Sequence, residues 1–315
     1  MKQDPSTTAK HGEIPLSGDA FRRICDHVFW CNSAPRENAA FRQGDIVFCK
    51  IDEVWRLFRA LRRTRRRIVL VTGEGSRPVT PALWRRKPPH VAAWLGTNMF
   101  FAHRNAHAIP LGLGNAGSAT TPTWDEIRKA SAAGVERNKW LYANFGDSTN
   151  PAVRVPLSQW LGDPARGWVT RADHGGPAGK ESYLAELVRH RFVLCPPGTG
   201  EDTHRFWEAL YAGCIPVIRD SAAMRSFSLI LPVLVVHDLR ETSEPMLRAF
   251  AADHAATSPD CGPLGLPYWH SRILAQKTTA VQAGQLSWRA LFMAWAKETA
   301  AVAGEKSQRQ LPSVC

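Results

Sequence analysis

The sequence contains no CxxC pair, and its seven cysteines, at 25, 31, 49, 195, 214, 261 and 315, make an odd count. A disulfide framework needs paired thiols and a structural zinc site needs closely spaced ones, so neither is expected and the thiols should stay reduced. No stretch approaches the roughly 18 uninterrupted apolar residues of a membrane helix. The opening MKQDPSTTAKHGEIP lacks the apolar core of a signal peptide. A cytoplasmic protein is therefore expected, with room for peripheral contact at the inner membrane surface. There is no internal repeat, no low-complexity tract, and no helix-turn-helix, zinc-finger or aromatic RNP pattern, so nucleic acid is not an expected partner.

What the chain does have is bulk and positive charge. With 315 residues, 44% hydrophobic and 22% charged, it can bury a large core as one big domain or two compact ones, of which two is the expectation. The net charge is +12 at pH 7. Two readings of it stand: attraction to polyanions such as phosphorylated ligands, acidic glycans or lipid head groups, and an arginine-rich surface that only solvates helices. The densest cluster is Arg59, Arg62, Arg63, Arg65, Arg66 and Arg67. It begins on a helix whose Val54, Leu57, Phe58 and Leu61 share one face, which puts most of the arginines on the solvent side.

Hydrophobic patterning divides the chain into two alternating α/β halves, residues 16–137 and 138–286, with a last helix at 287–303 expected to pack back on the first. Ile46–Cys49, Asp52–Arg63 and Ile68–Thr72 read strand, helix, strand, a unit with a right-handed crossover and parallel strands. Ligands of such sheets sit beyond the carboxyl ends of the strands, which puts Gly73–Thr80 at a cleft edge. Glu74 in that turn is a candidate general base; the plainer reading is a solvated loop carboxylate. Trp84 and Trp94 are candidates for the cleft, whereas Trp55, Trp207 and Trp295 have helical apolar spacing and read as packing residues.

In the second half, Trp140–Phe145 is expected as a strand and Pro151–Leu161 as a helix capped by Asn150, with Pro151 at its first position. Trp168–Thr170 follows as a strand and Glu181–His190 as a helix. Residues 191–218, RFVLCPPGTGEDTHRFWEALYAGCIPVI, then read as strand, glycine-bearing turn, helix and strand in one segment. Gly198, Thr199 and Gly200 lie in a loop whose amides can approach a ligand, and the helix start gathers further amides where phosphate oxygens belong. Arg205 can add a two-pronged phosphate contact. Glu208, one turn in, can accept from sugar hydroxyls; its bland alternative is an exposed helix carboxylate. His204 reads as a loop cap, a base contact or a plain surface residue. Arg154 reads as a phosphate contact or a solvated arginine.

The segment 191–220 resembles the signature of exostosin-like glycosyltransferases. The matching features are a strand ending in Cys195-Pro196, a glycine-containing loop, Arg205, Glu208-Ala209-Leu210, then Ala212-Gly213-Cys214-Ile215-Pro216-Val217-Ile218 and Asp220. Leu141-Tyr142-Ala143-Asn144-Phe145 with Thr149-Asn150-Pro151 and Arg154 is similar to bacterial members, and so is Ile109-Pro110-Leu111-Gly112-Leu113. The resemblance implies an α/β fold of two facing Rossmann-like halves (GT-B-like) with mostly parallel sheets. The acceptor side would lie in 16–137 and the nucleotide-sugar side in 138–286. It implies an enzyme of polysaccharide biosynthesis that moves a sugar from a nucleotide-sugar donor to a glycan or lipid-linked acceptor, inverting the anomeric carbon. Arg154, Gly198, Thr199, Gly200, His204, Arg205 and Glu208 would then hold the donor.

A departing nucleoside diphosphate needs its charge stabilised by a divalent ion or by fixed cations and amides. The chain has no Asp-x-Asp, which favours Arg205 and the loop amides, so no metal and no cofactor beyond the donor itself are expected. Two alternatives stay open: a catalytically inactive nucleotide- or glycan-binding relative and, in third place, a basic nucleic-acid-binding protein.

Overall fold

The structure is a computed structural model that describes residues 14–30, 41–115, 117, 121–172, 179–254, 262–287, 289–290 and 293. Two five-stranded sheets form its frame, and every strand pairing in them is parallel. Strands such as Ile68–Gly73, buried at every position, are what a parallel sheet covered on both faces demands. The expected α/β architecture of two parallel-sheet halves is present. Among the described residues no helix is long and apolar enough to cross a membrane.

The first half contains α1 (Gly18–Arg23), β1 (His27–Phe29), β2 (Ile46–Lys50), α2 (Val54–Leu61), β3 (Ile68–Gly73), α3 (Pro81–Arg85), β4 (Val91–Gly96) and β5 (Ala106–Ala108). The strands stand in chain order, β1-β2-β3-β4-β5, so each crossover steps the same way and right-handed crossovers fall on one face. There α2 buries Val54, Leu57, Phe58 and Leu61 against Val47, Cys49 and Leu70, while Arg59, Arg62 and Arg63 face solvent. Arg65 and Arg67 depart from the expected solvent role. Arg65 Nε donates to the Leu286 carbonyl at 2.9 Å, and Arg67 Nη1 to the Pro89 carbonyl at 3.1 Å.

The second half follows α4 (Trp124–Ala132). It runs β6 (Lys139–Asn144), α5 (Pro151–Leu161), β7 (Val169–Ala172), α6 (Gly179–Leu187), β8 (His190–Leu194), α7 (His204–Tyr211), β9 (Ile215–Arg219), α8 (Arg225–Ser228), β10 (Leu234–Val236) and α9 (Glu244–His254). Its strand order is β10-β9-β8-β6-β7, so the direction of winding reverses after β7. Leu157 and Leu161 of α5 pack on one face with Leu141, Phe192 and Leu194. After the reversal, α6, α7 and α8 cover the other face with Leu187, Phe206 and Phe227. Such a reversal leaves a crevice between the carboxyl ends of the two strands that flank it, here β6 and β8. Pro156 sits inside α5 without ending it.

A last element, α10 (Leu266–Gln282), joins the halves. Near its start Trp269 lies edge-on to Phe227 of α8, ring centroids 5.9 Å apart. Its far end is bound to the first half: Gln43 Nε2 donates to the carbonyls of Ala280 and Gly284 at 2.7 and 2.8 Å, and Lys277 pairs with Asp26 at 2.7 Å. Ile273 and Ala280 share a core with Ile46, Val69, Val71 and Leu95. The sheet face that the first half's own crossovers leave bare is thus covered by α1 and α10. The sequence assigns a return to the first half to a helix at 287–303, of which only 287, 289, 290 and 293 are described residues.

Candidate functional site

The carboxyl ends of β3 and β4 face those of β6 and β8 across a cavity of about 790 Å³. Glu74, Arg154, Gly198, Thr199, Gly200, His204, Arg205 and Glu208, the residues singled out from sequence, all line it.

The wall from the second half is built around the loop after β8. Arg154 is 6% exposed and spends its guanidinium on backbone: Nε donates to the Pro197 carbonyl at 2.9 Å, Nη2 to Pro196 at 3.2 Å and Nη1 to Gly146 at 2.7 Å. Burial, with the Arg205 charge nearby, lowers its pKa to about 10. A solvated arginine is excluded, and the geometry is that of a bolt under the loop. A Cβ on Gly198 would stand 3.1 Å from Arg154 Nη2, so the bolt closes against a glycine. Asn150 makes no side-chain cap on α5; its Nδ2 donates to the Gly198 carbonyl at 3.1 Å instead.

Helix α7 starts at the same loop, with Thr203 as its N-cap and Thr203, His204 and Arg205 on the cavity. Arg205 Nη2 donates to Asn144 Oδ1, at the end of β6, at 3.2 Å. Glu208 is 3% exposed and its Oε2 accepts the Tyr183 hydroxyl at 2.6 Å, which removes the exposed-carboxylate reading. Lys180 adds a cation to this wall and pairs with Glu126 at 2.8 Å. The arrangement concentrates helix amides and positive charge, with one buried carboxylate a turn further in, which suits an anion carrying hydroxyls.

The wall from the first half is different in kind. Glu74 and Asn98 are, among the described residues, the only non-glycines in the left-handed region, with φ of 56° and 52°. Each such conformation costs about 1–2 kcal/mol, and residues of this kind cluster where a side chain must be aimed. Glu74 follows β3, and its Oε1 accepts from Asn115 Nδ2 at 2.6 Å. Asn115 Oδ1 in turn accepts the Asp19 amide at 2.9 Å, which fixes the orientation of the Asn115 amide group. Trp94 does not belong to the cleft: it is fully buried, with its Nε1–H on Thr72 Oγ1 at 2.9 Å. Trp84 packs on it at 6.4 Å, and neither ring lines the cavity.

The two walls are bonded where they meet. Asn98 Oδ1 accepts the Asp202 amide at 3.1 Å, Asp202 Oδ2 accepts the Leu111 amide at 2.7 Å, and Asp202 Oδ1 accepts Trp207 Nε1–H at 2.7 Å. Burial pushes the Asp202 carboxyl up to about 7, against the downward pull of these donors. His204 is not a plain surface residue, since its Nδ1–H donates to the Gly112 carbonyl at 2.8 Å and its ring lines the cavity.

Sequence reasoning missed Asn98, Asn115, Tyr183 and Asp202. The first two lie in stretches without periodicity and carried no signal. Tyr183 fell inside an expected helix and Asp202 beside the named loop, so only their partners could have marked them: Glu208 on the next helix for the first, Asn98 and Leu111 across the cleft for the second.

No family model matches the chain, and no curated protein does. Among solved structures, alpha,alpha-trehalose 6-phosphate synthase from Burkholderia multivorans is similar at 11% identity over 87% of this chain and 74% of that one, with a TM-score of 0.37. The GtfA/B complex is similar at 10% identity over 83% of this chain and 58% of that one, with a TM-score of 0.34. Strand order and pairing, not likenesses of this size, define the architecture described here.

Proposed function

We propose that the protein is a glycosyltransferase of the exostosin-like, GT-B type that moves a sugar from a nucleotide-sugar donor to a hydroxyl of a glycan or lipid-linked acceptor. Residues 16–137 serve as the acceptor side and 138–286 as the donor side. The observation that carries this reading is the facing of a helix start with Arg205 and Glu208, at a sheet reversal point, towards the carboxylate of Glu74 across one cavity. In it, Glu74 takes the proton of the acceptor hydroxyl, whose oxygen attacks the anomeric carbon. The bond from that carbon to the diphosphate breaks, and the departing charge falls on Arg205 and the amides of the loop and α7. Glu208 accepts from the nucleoside hydroxyls, Arg154 holds the loop, and no metal takes part. Inversion at the anomeric carbon is what the family resemblance implies.

Thermal shift with a panel of nucleotide sugars tests the donor, since a ligand at about 100 times its dissociation constant stabilises by about 2.7 kcal/mol. Transfer or donor hydrolysis in excess EDTA then tests the chemistry. Stabilisation without any turnover makes the protein a binding relative; turnover lost with EDTA and restored by Mg²⁺ overturns the metal-free mechanism.

A further inference from the structure

Arg205 and Glu208 stand three residues apart on α7, a spacing at which opposite charges on a helix are neighbours and pair. A mutual ion pair would take both from a ligand, because the cation would be neutralised and the carboxylate filled. Glu208 is held by another element. The Tyr183 hydroxyl, from α6, donates to its Oε2 at 2.6 Å, and the same tyrosine ring lies 5.7 Å from the Arg205 guanidinium carbon. The contacts close into a ring: Tyr183 packs on Tyr142 at 5.9 Å, Asn144 Nδ2 donates to the Tyr142 hydroxyl at 3.1 Å, and Asn144 Oδ1 accepts Arg205 Nη2.

We propose that Tyr183 is a positioning residue that keeps Glu208 off Arg205, so that one helix turn offers a cation to a diphosphate and a carboxylate to the nucleoside. The inference rests on the donor-site reading above. Burial and the adjacent Glu208 charge raise the Tyr183 pKa well above its ordinary value, so its O–H remains a donor at neutral pH. A hydroxyl donates one hydrogen bond and so occupies one carboxylate oxygen, which leaves acceptor capacity on the other. A ring without the hydroxyl would still support Arg205 through its face but would release Glu208.

The test is calorimetry on Tyr183→Phe, Glu208→Gln and the double variant, with UDP, GDP, ADP, CDP, TDP and inorganic pyrophosphate as probes. Tyr183→Phe should lose about tenfold or more in affinity for both the best nucleoside diphosphate and pyrophosphate, the weight of one charge-assisted contact. Glu208→Gln should weaken the nucleoside diphosphate and leave pyrophosphate unchanged. The double variant should regain wild-type pyrophosphate affinity, because a glutamine has no charge with which to neutralise Arg205. A tyrosine that only supports the fold would show no such rescue. Unchanged pyrophosphate binding in Tyr183→Phe, or a loss that persists in the double variant, overturns the inference. The double variant buries no unpaired carboxylate, so its pyrophosphate affinity still decides the matter where Tyr183→Phe alone unfolds. If the wild-type protein binds none of the probes, the donor reading fails and this inference falls with it.

Discussion

The two sheets have the same number of strands and the same parallel pairing, yet they are wound differently. The second reverses direction between β6 and β8, and its cationic helix start, its loop and its buried carboxylate all gather at that reversal. The first never reverses, so it has no crevice of its own, and it contributes a wall in which two side chains are aimed by left-handed backbone. Winding thus decides which half can supply a ligand cradle from topology alone and which must supply single residues at a cost in strain.

The largest expected effect is on the first wall. Glu74→Gln should lower turnover by roughly 10²–10⁴, the range of a general base, while calorimetry finds donor affinity within about twofold of wild type. Equal losses in turnover and affinity would erase the division of labour between the walls. On the second wall, Arg205→Ala should reduce the transfer rate by roughly 10²–10³ with an unchanged circular dichroism spectrum. Unchanged turnover would remove Arg205 from the site.

The packing inside the first half should respond in stability. Gly112 has φ of 74°, and a Cβ there runs into the backbone carbonyl of Leu16. Gly112→Ala should cost about 2–4 kcal/mol in denaturant unfolding, combining backbone strain with a clash that cannot yield. Gly134→Ala, at φ of 65° with open space around it, should lose only the strain part of about 1–2 kcal/mol. Similar losses at both positions would mean that Gly112 is not closely packed on the Leu16 backbone.

The smallest effect is a slope. The folded-state pKa of Asp202, at about 7, is raised above the ordinary value of 3.8, so the folded protein holds that proton more tightly than the unfolded chain. Its contribution is complete below about pH 4 and is lost as the pH rises to about 7, by at most about 1.4 kcal/mol per pH unit. Urea unfolding of wild type and Asp202→Asn across that window should show the slope in the first and not in the second. Identical slopes would show that the carboxylate is solvated and the seam between the walls open.

Much of this was legible in the sequence because it is local. Apolar runs marked β2, β3, β6, β8 and β9, the proline at position 151 fixed the start of α5, and the glycines at 198 and 200 pointed to the loop. The cavity-lining position of Glu74 followed from its place after a parallel strand. What escaped reading depends on the partner segment. Arg154 looks like any helix arginine until two carbonyls of the distant loop after β8 and one from the turn before its own helix converge on it. Asn98 and Asn115 act across gaps of 104 and 96 residues, distances over which no periodicity carries information. Trp94 was misplaced because it lacks the helical apolar spacing that marks the packing tryptophans, whereas its ring lies in the buried core beside Phe58.

The return of α10 bears on how such a protein can be cut and recombined. A graft at residue 138 that replaced everything downstream would carry away the helix that seals the first sheet, along with the carbonyls that satisfy Gln43, Arg65 and Arg67. The exchangeable module is therefore an internal one, from β6 through α9, inserted between a first half and a closing helix that must come from the same parent.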